Sequence, residues 1–240
     1  MNRDESEPAR GTEPARGTEP ACGTEPARGE SEVRAATPGA RRVRNVVFDM
    51  GGVVLDWNPN AILEALYPSA AERALLKAAL FEHADWLELD RGTLTETEAL
   101  ARVAQRLGRS APKLDGLFEA VRAALIPKPG TLALIEQLAQ RRVPLYVLSN
   151  MPVDTYAYLR ERHDYWRAFR GIVISAEVRM MKPDRDIFEH LLERYALKAD
   201  ETVFIDDLPR NVEGASAVGL ETVLFRDAEQ CERELAALLA

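Results

Sequence analysis

One aspartate closes a valine-rich run and is followed almost at once by two glycines: Val43-Arg44-Asn45-Val46-Val47-Phe48-Asp49-Met50-Gly51-Gly52. A short apolar run of this kind reads as a buried, parallel strand, which puts Asp49 at its carboxyl end. Ligands of open α/β sheets bind at that end, and glycines there let backbone N–H groups close on an anion. Three more groups follow in order. Leu148-Ser149-Asn150 ends a second apolar run, Met181-Lys182-Pro183 precedes a helical pattern, and Phe204-Ile205-Asp206-Asp207 ends a later run, with Asn211 just beyond. Each has an ordinary reading: a turn, a helix cap, a helix start, a solvated acidic turn. Their joint occurrence at strand ends points instead to one rim where carboxylates, a lysine and backbone donors converge on an anionic ligand.

The elements that must position these residues alternate. After the first strand, helices are expected over residues 59–66, 70–83, 95–107 and 112–125, with no convincing strand between Trp57 and Pro129. The third opens on the capping box Thr95-Glu96-Thr97-Glu98 and stops at Gly108. The stretch Trp86-Leu87-Glu88-Leu89-Asp90-Arg91-Gly92 reads as a connection between helices. From residue 131 onward, helices over 131–141, 155–162, 184–195 and 211–218 alternate with strands over 143–148, 171–174, 202–205 and 222–225. This pattern implies a parallel sheet covered on both faces. The expected organisation is therefore an α/β core of residues 43–57 and 129–240, with an all-helical cap, residues 58–128, inserted after the first strand.

Residues 1–42 belong to neither part. A six-residue unit, Glu-Pro-Ala-Arg-Gly-Thr, starts at Glu7 and recurs from Glu13, Glu19 and Glu25 with small changes. Proline and glycine in every unit, with no large apolar residue, predict a disordered tail. The whole chain of 240 residues is 46% hydrophobic, enough for a real core, and carries a formal charge of −8. A field of that sign disfavours nucleic acid, and a phosphorylated ligand needs a local site to hold it. The two cysteines, Cys22 and Cys231, give no disulfide framework and no cysteine-ligated zinc. No apolar run reaches membrane-spanning length, and the amino terminus lacks a signal-peptide core, so the expectation is a reducing cytoplasm with no membrane partner. The oligomeric state is not legible.

From residue 43 to about 228, the chain resembles the haloacid dehalogenase-like (HAD) superfamily, whose four motifs run in the order Asp49, Ser149, Lys182, Asp206-Asp207. Within it, the Phe-Asp-x-Gly-x-Val opening and the Asp-Asp-x-x-x-Asn motif resemble sugar-phosphate phosphatases of the alpha-glucose-1-phosphatase type. The resemblance implies a Rossmann-like core with a small helical cap, acting as a Mg²⁺-dependent phosphatase of a small phosphorylated metabolite. Phosphoryl transfer suits these residue types, because a carboxylate can attack phosphorus and form an acyl phosphate that water then hydrolyses. Carboxylate and phosphate repel, so positive charge must be supplied. By the resemblance, Asp49 is the nucleophile, and Mg²⁺ is held by Asp49, the Gly51 carbonyl and Asp207, with Asp206 bonding through water and Asn211 in support. Lys182 neutralises phosphate and orients Asp49. Ser149, with the Asn150 N–H, holds phosphate oxygens, and the N–H groups of Met50 and Gly51 complete the cradle.

One position departs from that family's usual pattern: the second aspartate, two residues after the nucleophile, is Gly51 here. A glycine keeps a carbonyl for the metal but supplies no proton, so better leaving groups, such as the anomeric oxygen of a sugar 1-phosphate, are expected to react ahead of simple alkyl phosphates. The cap is expected to choose the substrate, with Trp57, Glu88, Asp90 and Arg91 as candidates. His83 and His163 read as exposed or capping residues, and Met180-Met181 as packing. Three rival readings remain. A metal-independent 2-haloacid dehalogenase would leave Asp206 and Asp207 unneutralised. A receiver-type phosphoacceptor module places its acid pair before the acceptor, where here it comes last. A non-catalytic HAD-fold regulator would take Gly51 as a mark of lost activity.

Overall fold

The computed structural model describes residues 43–239, and the repeat expected to be a disordered tail lies outside them. Five strands, β1 (Asn45–Phe48), β2 (Leu145–Ser149), β3 (Gly171–Ile174), β4 (Thr202–Asp206) and β5 (Glu221–Leu224), form one sheet in the order β3-β2-β1-β4-β5. All four pairings are parallel. The chain winds outward on one side of β1, then crosses to the other side. Strand order thus reverses beside β1, and a crevice opens at the carboxyl ends of β1 and β4.

Register sets what meets there. Phe48 is level with Val147 of β2 and Ile205 of β4, so Asp49 emerges beside Asp206, and its N–H bonds the Ile205 carbonyl at 2.9 Å. The strands alternate between two apolar layers. Val46, Phe48, Val147 and Ile205 pack with Leu134, Ile135 and Leu235, whereas Val47, Leu148 and Phe204 pack with Ile187, Phe188 and Leu191. The first layer rests on α6 (Pro129–Gln140) and α11 (Ala228–Leu238), and the second on α9 (Arg185–Arg194) and α10 (Pro209–Ala217). Helix α7 (Val153–Arg162) and the single turn α8 (Ser175–Val178) complete this part. Helix α11 had no sequence expectation. Asp227 caps it by accepting from the Gln230 N–H at 2.8 Å, and Cys231 and Leu235 seal it against the sheet.

Between β1 and α6 the described chain is helical: α1 (Pro59–Leu66), α2 (Ala70–Leu76), α3 (Ala84–Arg91), α4 (Glu96–Leu107) and α5 (Leu117–Ala123). These helices share an apolar cluster of their own that includes Leu63, Leu76, Leu80, Val103 and Phe118. The two ends of the insertion are tied together, Asp56 N–H to the Ile126 carbonyl and Lys128 N–H to the Val54 carbonyl, both at 2.8 Å. The Thr95–Glu98 capping box is present.

Three expectations change. The helix over 70–83 ends as α2 and a π-helical turn, Lys77–Phe81, whose wider bond runs from the Glu82 N–H to the Lys77 carbonyl. The helix over 112–125 starts only at Leu117, because Gly116 sits at φ 76°. The stretch 86–92, read as a connection, lies in α3. His83 caps that helix by accepting from the Asp85 N–H at 3.1 Å, and Gly92 ends it at φ 71°.

Candidate active site

Four of the expected residues meet at the carboxyl ends of β1 and β4. Lys182 Nζ lies 2.8 Å from Asp49 Oδ1 and 2.6 Å from Asp206 Oδ2, and its side chain is 1% exposed. A buried ammonium at such a place must be held, and Asn150 holds it through the backbone. Lys182 N–H donates to Asn150 Oδ1, and Asn150 Nδ2 donates to the Lys182 carbonyl, both at 2.9 Å. Asp206, wholly buried, also accepts from Asn211 Nδ2 at 3.0 Å on each oxygen and from the Leu208 N–H at 2.9 Å. Protein donors thus fill most of its lone pairs. Asp207 is less buried, and the one donor to its carboxylate among the described residues is its own backbone N–H. It lies against Gly52, where a Cβ would come within 2.3 Å of Oδ2 and where φ is 79°.

Charge at this point does not balance. Asp49, Asp206 and Asp207 each offer an oxygen within 4.8 Å of the others, and the Lys182 ammonium is in ion-pairing contact with the first two but not with Asp207. Burial, opposed by Lys182 and reinforced by Asp206, pushes the Asp49 carboxyl up to about 7. Burial and Asp206 also raise Asp207. Such an oxygen-only set fits a hard divalent cation, which would supply the missing charge. The buried Oδ1 of Asn211, which has no hydrogen-bond partner among the described residues, adds an unspent acceptor at the same place.

Above these groups opens a cavity of about 620 Å³, within the range of small-molecule sites. Its floor includes Asp49, Gly51, Asn150, Lys182, Asp207 and Asn211. Its walls are aromatic. Trp57, Phe81, Trp86 and Phe118 form a chain with ring centroids 6.2 Å (Trp57 to Phe81), 4.8 Å (Phe81 to Trp86) and 6.3 Å (Trp86 to Phe118) apart. Sequence reasoning marked Trp57 and the stretch holding Trp86, but it missed Phe81 and Phe118. It also missed Arg210, which lines the cavity from the first turn of α10. The available signal was its position one residue before Asn211.

The remaining candidates are distributed as follows. Asp90 lines the cavity. Glu88 and Arg91 do not: Glu88 pairs with Arg102 at 3.0 Å, and Arg91 pairs with Asp184 at 3.3 Å. Because residues 84–91 form a helix, side chains 86 and 90 share one face while 88 turns away. Ser149, the last residue of β2, is buried and is not part of the cavity lining; Asn150 is the member of that pair that reaches it. Met50 is fully buried, so only its backbone is available to a ligand. His83 is the α3 cap, and His163 stacks on Tyr165 with centroids 5.2 Å apart.

The chain is similar to several known proteins. The sesquiterpene phosphatase AstK of Aspergillus oryzae is 29% identical over 182 residues, covering 76% of this chain and 89% of its own. The drimenol cyclase DrtB of Aspergillus calidoustus is 29% identical over 196 residues, 80% of this chain but 36% of that protein. Among solved structures, a HAD family enzyme of Bacteroides thetaiotaomicron in complex with magnesium and inorganic phosphate superposes with a TM-score of 0.63 at 20% identity, covering 77% of this chain and 94% of its own. The sequence profile of the haloacid dehalogenase-like hydrolases matches residues 43–219, the span that carries every group gathered on the rim, and the chain belongs to that family of hydrolases.

Proposed function

We propose that the protein is a Mg²⁺-dependent phosphatase of a small phosphate monoester, working through an aspartyl phosphate on Asp49. The observation that carries this reading is the charge deficit: three carboxylates converge around one buried ammonium. Mg²⁺, when bound, supplies the charge that lets a carboxylate approach a phosphate. Asp49, the Gly51 carbonyl and Asp207 are its direct ligands in this reading. The donors already filling Asp206 favour its acting through water, with Asn211 in support. Asp49 attacks phosphorus, Lys182 holds Asp49 and neutralises a phosphate oxygen, and backbone N–H groups of Met50, Gly51 and Asn150 bind the others. Ser149 fits less well, since Asn150 takes the place at the cavity floor. Residues 43–57 and 129–240 supply the chemistry and Trp57, and a cap of residues 58–128 supplies the other aromatic walls.

Those walls bear on the organic group. A sugar phosphate, the expectation from Gly51, needs hydrogen-bonding partners, and of the polar cap candidates only Asp90 lines the cavity, with Arg210 from α10, while Glu88 and Arg91 are engaged elsewhere. Trp57, Phe81, Trp86 and Phe118 favour an apolar group that packs on aromatic faces. The similarity to a sesquiterpene phosphatase points the same way. We therefore favour an apolar phosphate ester, such as a terpenyl monophosphate. The sugar 1-phosphate is the second reading, supported by the glycine at position 51. The same Asp49 could in principle displace a halide, but a dehalogenase has no use for a cation site. No described helix is long and apolar enough to cross a membrane, and the proposed compartment is the cytoplasm.

The test is a screen of the purified protein against terpenyl monophosphates, sugar 1-phosphates and 2-haloacids, with Mg²⁺ or with EDTA, using Asp49→Asn as the blank. Phosphate release that needs both Mg²⁺ and Asp49 is the expected result. Halide release in EDTA would replace the proposal with dehalogenation, and no turnover in any arm would favour a regulatory role.

A further inference from the structure

Gly51 leaves the reaction without its usual proton carrier, yet packing does not demand a glycine there: a Cβ would meet nothing closer than Trp57 Cβ at 3.9 Å. A carboxylic acid elsewhere on the cavity wall could take over the task. The acids lining the cavity are Asp49, Glu82, Asp90 and Asp207. Asp49 and Asp207 serve as nucleophile and metal ligand in the reading above. Glu82 is exposed and pairs with Lys77 at 3.1 Å, and the neighbouring His83 is occupied as the α3 cap. Asp90 alone remains uncommitted.

Its position is fixed by the sheet-bearing part of the molecule as much as by its own helix. The Asp90 carbonyl accepts from Ser175 Oγ, which in turn accepts from the Met151 N–H at 2.9 Å. Arg91 is paired to Asp184, and Gly92 lies so close to the Ala176 carbonyl that a Cβ would come within 2.4 Å. Three successive residues at the end of α3 are thus pinned beside α8 and α9. Asp90 lines the same cavity as Asp49, Lys182 and Arg210, and Trp86 on its own helix hydrogen-bonds its side chain. No ion pair joins its carboxyl to a lysine or arginine among the described residues, and the pull of Lys182, Arg210 and the Trp86 hydrogen bond toward the charged form is outweighed by burial and the charge of Asp49.

Building on the phosphatase reading, we propose that Asp90 is the general acid and base of this enzyme, delivered by the helical insertion in place of the side chain missing at Gly51. As Asp49 Oδ bonds to phosphorus and the P–O bond to the leaving group breaks, the departing oxygen takes the proton of the Asp90 carboxyl and leaves as an alcohol. The Asp90 carboxylate then takes a proton from water as the water oxygen bonds to phosphorus. The acyl-phosphate P–O bond breaks, inorganic phosphate departs, and Asp90 is again protonated. The local field agrees: burial and the charge of Asp49, against Lys182 and Arg210, push the Asp90 carboxyl up to about 7, where it can both give and take a proton. The preference for activated esters expected from Gly51 is then not needed.

The experiment compares 4-nitrophenyl phosphate with benzyl phosphate, esters of similar ring size whose leaving groups need a proton to very different degrees. Values of kcat/KM, which report the step that expels the leaving group, are measured with Mg²⁺ for the full chain, Asp90→Asn, Asp90→Ala and the Asp49→Asn blank. Loss of about 10²–10⁴-fold on benzyl phosphate, with less than about tenfold on 4-nitrophenyl phosphate, is expected for both Asp90 variants. The alkaline limb of the benzyl phosphate pH profile is also expected to disappear. Equal losses on the two esters, or none, would overturn the assignment while leaving the phosphatase reading intact. Failure of the unsubstituted chain to hydrolyse either ester would overturn both.

Discussion

Asp85 and Asp49 are both carboxylates buried beside cations, and their surroundings are opposite in sign. Asp85, near the start of α3, faces two guanidiniums, Arg106 at 2.7 Å and Arg102 at 3.0 Å, with the His83 ring nearby. Although burial pushes its carboxyl up, those two arginines hold it below its ordinary value. Asp49 shares one lysine with Asp206 and is pushed up to about 7. Positive charge is in surplus around the first and in deficit around the second. A surplus makes a structural joint, here between α3 and α4. A deficit marks a place where charge must arrive with a ligand.

Removing the shared cation should sharpen the contrast most. Lys182→Met leaves Asp49 and Asp206 buried with no counter-ion, and loss of one partner from a buried ion pair costs about 3–5 kcal/mol. Urea denaturation at pH 7.5 in EDTA should show a loss of this size, with Mg²⁺ recovering part of it. A loss below about 1 kcal/mol would mean that water, and not Lys182, balances the acids.

A smaller effect follows from protonation. An acid whose folded value lies above its unfolded 3.8 holds its proton more tightly when folded, so its contribution to stability falls as pH rises from about 4 to 7. Asparagine has no such dependence. In EDTA, Asp49→Asn should therefore gain on the unsubstituted chain between pH 5 and 8, by on the order of 2 kcal/mol. Adding Mg²⁺ should reverse the order, because the ion stabilises only the form with the carboxylate. Thermal melting across pH decides it, and parallel curves for the two proteins in EDTA would sink the charge-deficit account.

How much of this was legible beforehand differs between the same two regions. The rim could be read from the chain because Asp49, Asn150 and the Asp206-Asp207 pair each come at the end of a short apolar strand, and parallel register then brings Asp49 level with Asp206 without further information. The helical insertion was harder to read. Helix α3 is short, carries four charged residues among eight, and is capped by His83, not by serine, threonine, asparagine or aspartate, so it read as a connection. That error treated Glu88, Asp90 and Arg91 as equals. Helical periodicity separates them, turning Asp90 into the cavity and Glu88 toward Arg102. The roles of Phe81 and Phe118 depend on how the insertion folds over the rim, which spacing along the chain does not encode.

The smallest predicted effect belongs to the site with the positive surplus. Removing Asp85 frees Arg102 and Arg106, but their side chains are 45% and 31% exposed, and Arg102 keeps Glu88 at 3.0 Å. The guanidiniums can turn to water, so no charge is left buried, and Asp85→Asn should cost only about 1–2 kcal/mol at pH 7. Its pH dependence has the opposite sign to that of Asp49. A carboxyl held low in the folded state contributes stability that is present above its unfolded value of 3.8 and lost as pH falls through the lower folded value. Melting curves of Asp85→Asn and the unsubstituted chain should therefore stay apart from pH 5 to 8 and converge only below about pH 4. A gap that instead widened toward low pH would show that Asp85 is not held as a carboxylate by Arg102 and Arg106, and the contrast between the two sites would lose its basis.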